Sequence, residues 1–210
     1  MPQNLDAVAG FVLVQTADAA FNISRVEKFH VDYAVSRYKN SKFADMYIGL
    51  ISDTHGVFDD RFKEFLEPVD QIWHAGDFGG GMDLAAEIAR FKPLTGVAGN
   101  CDNHDLRFDY PLYRFFKCEG MSVLMTHVGG YPGKYDPKAR QLIDRYSPDI
   151  FVCGHSHILK VVRDSKRNDM LVINPGAAGI QGFHIVRTAL RFKIEGGRIH
   201  SMEVFELERD

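Results

Sequence analysis

The sequence has few cysteines, no long apolar run and no excess of basic residues. Its three cysteines are scattered through 210 residues, which excludes a disulfide framework and favours a reducing compartment. No segment approaches the roughly 20 apolar residues that a membrane-spanning helix needs. The net charge of −3 mixes both signs and lacks the basic face of a nucleic-acid-binding protein. We therefore expect neither a membrane nor bulk nucleic acid as a partner.

The N-terminal segment also lacks the features of an export signal. Ala7–Val14 is mildly apolar, but the residues before it include Asp6 and no Lys or Arg, so we expect a cytoplasmic protein. Residues 1–45 form an N-terminal extension of unknown role, in which Gly10–Gln15 resembles a strand and Ser24–Tyr38 has the capping and apolar pattern of a helix. Either the extension contributes little chemistry, or it is an arm that docks on the domain or on a neighbouring subunit of an oligomer.

Residues 46–210 have the pattern of one α/β domain. The first part alternates short buried strands with amphipathic helices, over Tyr47–Ile51, Phe58–Leu66, Gln71–His74, Met82–Phe91 and Leu94–Val97. This βαβαβ order predicts a parallel sheet whose carboxyl ends carry the functional side chains. The second part is richer in strands and has one predicted helix, Pro137–Tyr146. We expect two sheets packed face to face, with helices outside them.

Side chains of metal-binding types follow the predicted strands, each in a glycine-containing or strand-ending context. The set is Asp53, His55, Asp77, Asn100, His127, His155 and His157. Asp53 and His55 are two residues apart, as are His155 and His157, and the alternation of an extended chain would point each pair to one side. Each motif alone is a weak signal. Together and in this order they predict a centre of two metal ions that hydrolyses phosphate esters.

The ligand types restrict the metal and indicate a mechanism. Imidazole mixed with oxygen donors suits Mn, Fe, Zn, Ni or Co better than Mg or Ca, and a set without thiolate argues against structural zinc. Two divalent ions carry more positive charge than Asp53 and Asp77 neutralise, which favours a phosphate anion. We expect a hydroxide that bridges the ions to attack phosphorus in line, without a protein nucleophile.

The ordered set resembles the calcineurin-like metallophosphoesterases, and its spacing resembles their small single-domain phosphodiesterase branch. The likeness runs from Met46 almost to the end of the chain. It implies a four-layer α/β/β/α sandwich with two mixed β-sheets, two divalent ions (Mn first, then Ni, Fe or Zn) and a small phosphodiester or nucleotide-like substrate. It also implies one ion held by Asp53, His55, Asp77 and His157, and another held by Asp77, Asn100, His127 and His155.

The sequence departs from larger members of this family directly after Asn100. They carry a histidine there, whereas this chain has Cys101 followed by Asp102, so the acid that protonates the leaving group is not assigned. His104 either supplies that proton or is a solvent-facing loop residue. Asp102 either orients a ligand or caps the following turn. We assign Asn100 and His127 to catalysis as well as to metal binding.

The remaining candidates have weaker signals. His30, His184 and His200 stand outside any motif and are expected to be structural or exposed, His74 to be packed beside the ligands, and Cys101 to be a buried, inert thiol. Three aromatic residues either wall a substrate pocket or only pack: Phe78, Tyr131 and Tyr135.

The alternative function is a scaffold that binds partner proteins and catalyses no reaction. The retromer phosphoesterase-fold subunit has the same fold and works chiefly by binding partners, so a non-enzymatic scaffold is the alternative to an enzyme. Scaffolds of this kind tend to lose metal ligands, whereas this chain keeps the complete set, which favours catalysis. A protein that purifies without metal, and stays inactive when metal is added, would favour the scaffold.

Overall fold

The computed structural model describes residues 25–29 and 45–209. The strands are β1 Arg25–Phe29, β2 Met46–Ile51, β3 Gln71–His74, β4 Leu94–Gly96, β5 Tyr113–Cys118, β6 Met121–Thr126, β7 Gly130–Tyr131, β8 Lys134–Tyr135, β9 Ile150–Val152, β10 Leu159–Asp164, β11 Met170–Pro175, β12 Val186–Glu195 and β13 Arg198–Glu208. The helices are α1 Asp60–Leu66, α2 Gly81–Phe91, α3 His104–Asp109 and α4 Pro137–Tyr146. None of these helices is long and apolar enough to cross a bilayer.

Two mixed sheets form the centre of the fold. The first has the order β1-β13-β12-β2-β3-β4, and β2, β3 and β4 run parallel, as the βαβαβ pattern predicts. The second has the order β10-β11-β9-β6-β5, with β9 parallel to both of its neighbours. A separate hairpin, β7–β8, directly precedes helix α4 along the chain. The carboxyl ends of β2, β3, β4, β6 and β9 carry the predicted ligands.

Three apolar clusters separate four layers. The cluster between the sheets contains Ile48 and Trp73 from one sheet and Val123 and Ile173 from the other, all fully buried. Trp73 meets Phe116 and Phe192 edge to face, a packing whose loss in a Trp→Ala change costs about 3–5 kcal/mol. A second cluster joins α1, α2 and α3 to the outer face of the first sheet, and a third joins α4 to the second sheet. The expected α/β/β/α sandwich is confirmed.

The helix predicted over Ser24–Tyr38 is wrong where the structure describes it. Residues 25–29 form β1, which pairs antiparallel with β13 from Arg25↔Glu206 to Phe29↔Met202. Backbone hydrogen bonds with β13 stabilise residues 25–29 as a strand more than a helix cap, worth only about 1 kcal/mol, would stabilise them as a helix. The rest of that range, and Gly10–Gln15, lie outside the described residues.

Helix α3 and the hairpin β7–β8 were not among the predicted elements. α3 has only six residues, too few to show the 3.6-residue repeat. Its N-cap was the available signal, because the Asn103 side chain accepts a hydrogen bond from the Leu106 N–H at 3.0 Å.

Candidate metal centre

The histidines and aspartates among the predicted ligands meet where the two sheets present strand ends side by side. Asp53 and His55 follow β2, Asp77 follows β3, and Asn100 lies four residues after the end of β4. The second sheet contributes His127 after β6, and His155 and His157 after β9. Three groups of potential ligands have donor atoms within 4.8 Å of one another: Asp53, His55 and His157; Asp77, His127 and His155; and His55, Asp77 and Cys101.

The backbone at these ligands is left-handed. Asp53, His55, Asp77, His155 and His157 have φ values of 53°, 45°, 55°, 68° and 56°, a region that non-glycine residues seldom adopt. The ligand pairs are therefore brought together by tight turns, and the alternation of an extended chain predicted for them is wrong. Such backbone strain costs about 1–3 kcal/mol per residue and persists where surrounding contacts enforce it, most often at functional sites.

Asp53 is fully buried, and its two oxygens have different surroundings. Oδ2 accepts hydrogen bonds from the Ser52 hydroxyl at 2.6 Å and from the His155 N–H at 3.0 Å. Oδ1 instead faces imidazole nitrogens: Nε2 of His157 at 3.2 Å, of His127 at 3.9 Å and of His55 at 4.0 Å. One oxygen thus orients the carboxylate, and the other points among three potential ligands.

Asp77 joins the second group of ligands. Its Oδ2 lies 3.1 Å from Nε2 of His127, and its Oδ1 accepts a hydrogen bond from the Cys101 N–H at 2.8 Å. His127 donates its Nδ1 proton to the Ala75 carbonyl at 2.8 Å, which directs Nε2 towards the carboxylates. Gly99 allows this arrangement, because a Cβ there would overlap the Asp77 carboxylate and backbone nitrogen.

These contacts fit a bound cation. Among the described residues, Asp53 Oδ1 and His127 Nε2 are buried without a hydrogen-bond partner. A buried polar atom left unpaired costs about 1–3 kcal/mol, and a charged one more. Two such acceptors 3.9 Å apart, surrounded by further imidazole and carboxylate donors, suit a divalent metal of the Mn, Fe, Ni or Zn type.

The charged and titratable groups at the site shift one another's pKa values. Burial opposes the charged form of Asp77, but the His127 imidazole 3.1 Å away and the Cys101 N–H outweigh burial and hold the pKa of Asp77 well below its usual range. Burial likewise opposes the charge on His127, yet the neighbouring Asp77 and Asp53 raise its pKa. A metal ion at Nε2 of His127 therefore competes with a proton for the same atom.

His157 is oriented by His184, a residue that the sequence analysis expected to be structural or exposed. The two Nδ1 atoms are 3.1 Å apart, and Nε2 of His184 lies 3.1 Å from the Gly179 carbonyl. Since the carbonyl accepts a proton from Nε2 of His184, Nδ1 of His184 must accept one from His157, which leaves Nε2 of His157 free to bind a metal. His184 thus has a positioning role that no local motif indicated. His30 lies outside the described residues.

His74 is packed beside the ligands, as expected. Its Nδ1 accepts a hydrogen bond from the Gly76 N–H at 3.1 Å, and its Nε2 lies 2.9 Å from the Thr54 hydroxyl. Complete burial lowers the pKa of His74 to about 3, so the ring is neutral. Phe78 stacks on it at 3.6 Å and is itself fully buried, so Phe78 packs and does not wall a pocket.

Two polar side chains brace the loops that carry the ligands. Asp102 accepts hydrogen bonds from the Gly79 N–H at 3.1 Å and the Gly99 N–H at 2.7 Å, which ties the loop after β3 to the loop after β4. The Asn174 amide donates to the Gly154 carbonyl at 2.7 Å and to the Ser156 hydroxyl at 3.0 Å. Its side-chain oxygen accepts from the Gly176 N–H at 2.9 Å, so Asn174 stabilises the segment that carries His155 and His157.

The rim of the site is formed by residues after β4. Asn100 is exposed, and the Arg107 side chain fixes its carbonyl at 2.9 Å. Cys101 is exposed, so the expectation of a buried thiol is wrong: the turn that brings its N–H to Asp77 leaves the sulfur at the surface. His104 is the exposed first residue of α3 and makes no side-chain hydrogen bond to any described residue. Its role as an acid stays a prediction.

The fold and the site together define an α/β/β/α protein with a cluster of histidine and carboxylate side chains that are potential metal ligands. A family model, the calcineurin-like phosphoesterase superfamily domain, matches residues 46–197. The chain belongs to this superfamily. A comparison with curated protein sequences finds no significant match.

Solved structures with the same fold have low sequence identity to this chain. Vps29 from Chaetomium thermophilum is 18% identical, with 79% of this chain and 90% of that chain covered and a TM-score of 0.62. A Streptococcus pneumoniae protein whose name describes a predicted phosphoesterase is 21% identical, with 80% and 91% covered and a TM-score of 0.55. Vps29 from Entamoeba histolytica, solved in complex with zinc, is 16% identical, with 79% and 100% covered and a TM-score of 0.59.

Proposed function

We propose that the protein hydrolyses phosphodiesters with the help of two divalent metal ions, manganese first among them. One observation carries the proposal. Asp53 Oδ1 and His127 Nε2 are buried, unpaired and 3.9 Å apart, in the middle of the ligand cluster. A stable fold does not keep two buried acceptors facing each other unless a cation or a proton joins them.

The proposed ligands divide into two sets that share Asp77. Asp53, His55, Asp77 and His157 would hold one ion, and Asp77, Asn100, His127 and His155 the other. Bound divalent ions supply Lewis acidity towards the phosphate and lower the pKa of water to about 7.

The chain's own residues position this chemistry. The Ala75 carbonyl keeps the proton of His127 on Nδ1, and His184 keeps the proton of His157 on Nδ1. Asn100 is neutral, so it leaves the positive excess of the site intact for an anionic substrate. We propose His104 as the donor of the proton to the leaving alkoxide, since it is the histidine that the exposed rim contributes.

The test is hydrolysis of bis-p-nitrophenyl phosphate with Mn²⁺, Ni²⁺ or Zn²⁺ added to protein stripped of metal. We expect activity that depends on the metal and that Asp77→Asn lowers more than a thousandfold, because this carboxylate serves both sets. The matched control is Asp83→Asn, an exposed aspartate in the first turn of α2, which should leave the rate within twofold. Full activity in Asp77→Asn would exclude the proposed mechanism.

The same assay separates the enzyme from the scaffold. Metal binding alone does not distinguish the two functions, because a scaffold that keeps these ligands would also bind an ion. Turnover does: a chain that binds metal but hydrolyses neither diesters nor monoesters would favour the scaffold.

A further inference from the structure

A cavity of about 340 Å³ opens beside the metal centre on the side of His155. His155 connects the cavity with the metal centre. Its ring packs against that of His127 at 5.3 Å between centroids and also lines the cavity. The hairpin β7–β8 forms one wall, and the segment from Gly154 to Lys160 forms the facing wall. The volume falls within the range of small-molecule sites, about 300–1,000 Å³.

Hydrogen bonds fix the hairpin β7–β8, which forms one wall of the cavity, to the rest of the domain. The Asp136 N–H donates to the Gly129 carbonyl at 2.9 Å, and the Asp136 side chain caps α4 through the Lys138 and Ala139 N–H groups. The Tyr135 hydroxyl donates to Asp164 at 2.9 Å. One oxygen of the carboxylate at the cavity wall, Asp136 Oδ1, is thus already engaged by the N-terminus of α4.

The facing wall presents a cation. The Lys160 ammonium lies 3.6 Å from the centroid of the Tyr131 ring, a cation–π contact that holds it at the cavity. Across the described ranges 25–29 and 45–209, neither Lys160 nor Lys134 forms an ion pair with a carboxylate. The other surfaces are largely apolar and include the exposed side chains of Val128 and Ile158. The cavity therefore combines apolar walls with positive charge that has no acidic partner.

We propose that this cavity binds the leaving half of the substrate, and that this half is a nucleotide with its own phosphate next to Lys160. The substrate class is then a nucleoside pyrophosphate diester, a narrower class than phosphodiesters in general, and the inference rests on the proposed hydrolytic function. Water adds across the phosphoanhydride: its oxygen bonds to the attacked phosphorus, the bridging P–O bond breaks, and a nucleoside monophosphate leaves. The nucleoside packs against Val128, Tyr131 and Ile158.

Two substrates and one matched pair of variants test this inference. Diadenosine diphosphate carries the second phosphate, and bis-p-nitrophenyl phosphate does not. Lys160→Met keeps the apolar stem and removes the charge, and Lys117→Met removes an exposed charge on β5, a different strand of the same sheet. We expect Lys160→Met to lower kcat/KM for diadenosine diphosphate about 10- to 100-fold, the effect of one charged hydrogen bond. Its rate with bis-p-nitrophenyl phosphate, and both rates of Lys117→Met, should stay within twofold of wild type.

The outcomes distinguish the two proposals. If Lys160→Met lost equal activity on both substrates, or lost none on either, the assignment of the cavity would be overturned. The proposed function would still stand as long as the wild-type protein hydrolysed bis-p-nitrophenyl phosphate. A wild-type protein inactive on both substrates would overturn the proposed function. Calorimetric titration of the protein with AMP and, separately, with adenosine gives an independent readout: AMP should bind more tightly than adenosine, and Lys160→Met should remove that difference.

Discussion

Replacement of His184 should weaken metal binding, although His184 is not a ligand. In the structure it accepts the Nδ1 proton of His157 at 3.1 Å and is itself fixed by the Gly179 carbonyl at 3.1 Å. In His184→Ala the acceptor is lost, so His157 can place its proton on Nε2, the atom that faces Asp53. Loss of such a partner typically costs 10- to 100-fold in metal affinity, about 1.4–2.8 kcal/mol.

The measurement is calorimetric titration of Mn²⁺ into the metal-free protein, alongside urea unfolding to show that the fold is retained. His184→Asn offers a carbonyl oxygen near the position of Nδ1 and should recover most of the affinity. His200→Ala, which removes a half-buried imidazole on β13 that contacts Ser201, should leave it within twofold. Equal affinity in wild type and His184→Ala would refute the tautomer argument.

Three further predictions follow from individual residues. Gly99→Ala should lower the affinity for Mn²⁺, measured by calorimetry, at least about 100-fold, because the new Cβ displaces Asp77. Unchanged affinity would show that the backbone at residue 99 moves enough to accept the Cβ. Burial gives His74 a pKa of about 3 in the fold, against 6.5 for an ordinary histidine. Between these two pH values only the unfolded state binds the proton, so the unfolding free energy should fall on the order of 5 kcal/mol as pH drops through this window. Urea unfolding of metal-free His74→Gln should show a flatter pH dependence, and an unchanged slope would contradict the burial argument. His104→Gln should slow alkyl diesters about 10²-fold but hardly affect bis-p-nitrophenyl phosphate, whose leaving group needs no acid; equal effects would remove His104 from the mechanism.

Periodicity was sufficient for most elements of the domain. The alternation of apolar runs and amphipathic helices places β3 at Gln71–His74 and α4 at Pro137–Tyr146 with the bounds observed. Periodicity was sufficient there because the apolar residues on the buried faces of the strands and of the longer helices recur at regular spacing along the chain. It failed at β1, where a distant strand supplies the hydrogen-bond partners, and at the short helix α3.

The order of the ligand motifs indicated which side chains meet, but not how. The left-handed backbone at Asp53, His55 and Asp77 is unfavourable locally and results from contacts with distant loops, such as the hydrogen bond from the Asp53 N–H to the Gly76 carbonyl. The partner of His157 could not be inferred either. His184 reaches it from 27 residues away, in a segment with no motif of its own.

The most direct test is diffraction from crystals soaked in Mn²⁺, with data collected at the manganese absorption edge. A dinuclear centre predicts two anomalous peaks roughly 3.5–4 Å apart, with Asp77 bound to both and with Asp53 Oδ1 and His127 Nε2 each within bonding distance of one. A single peak away from Asp77, or none at full soaking concentration, would contradict it.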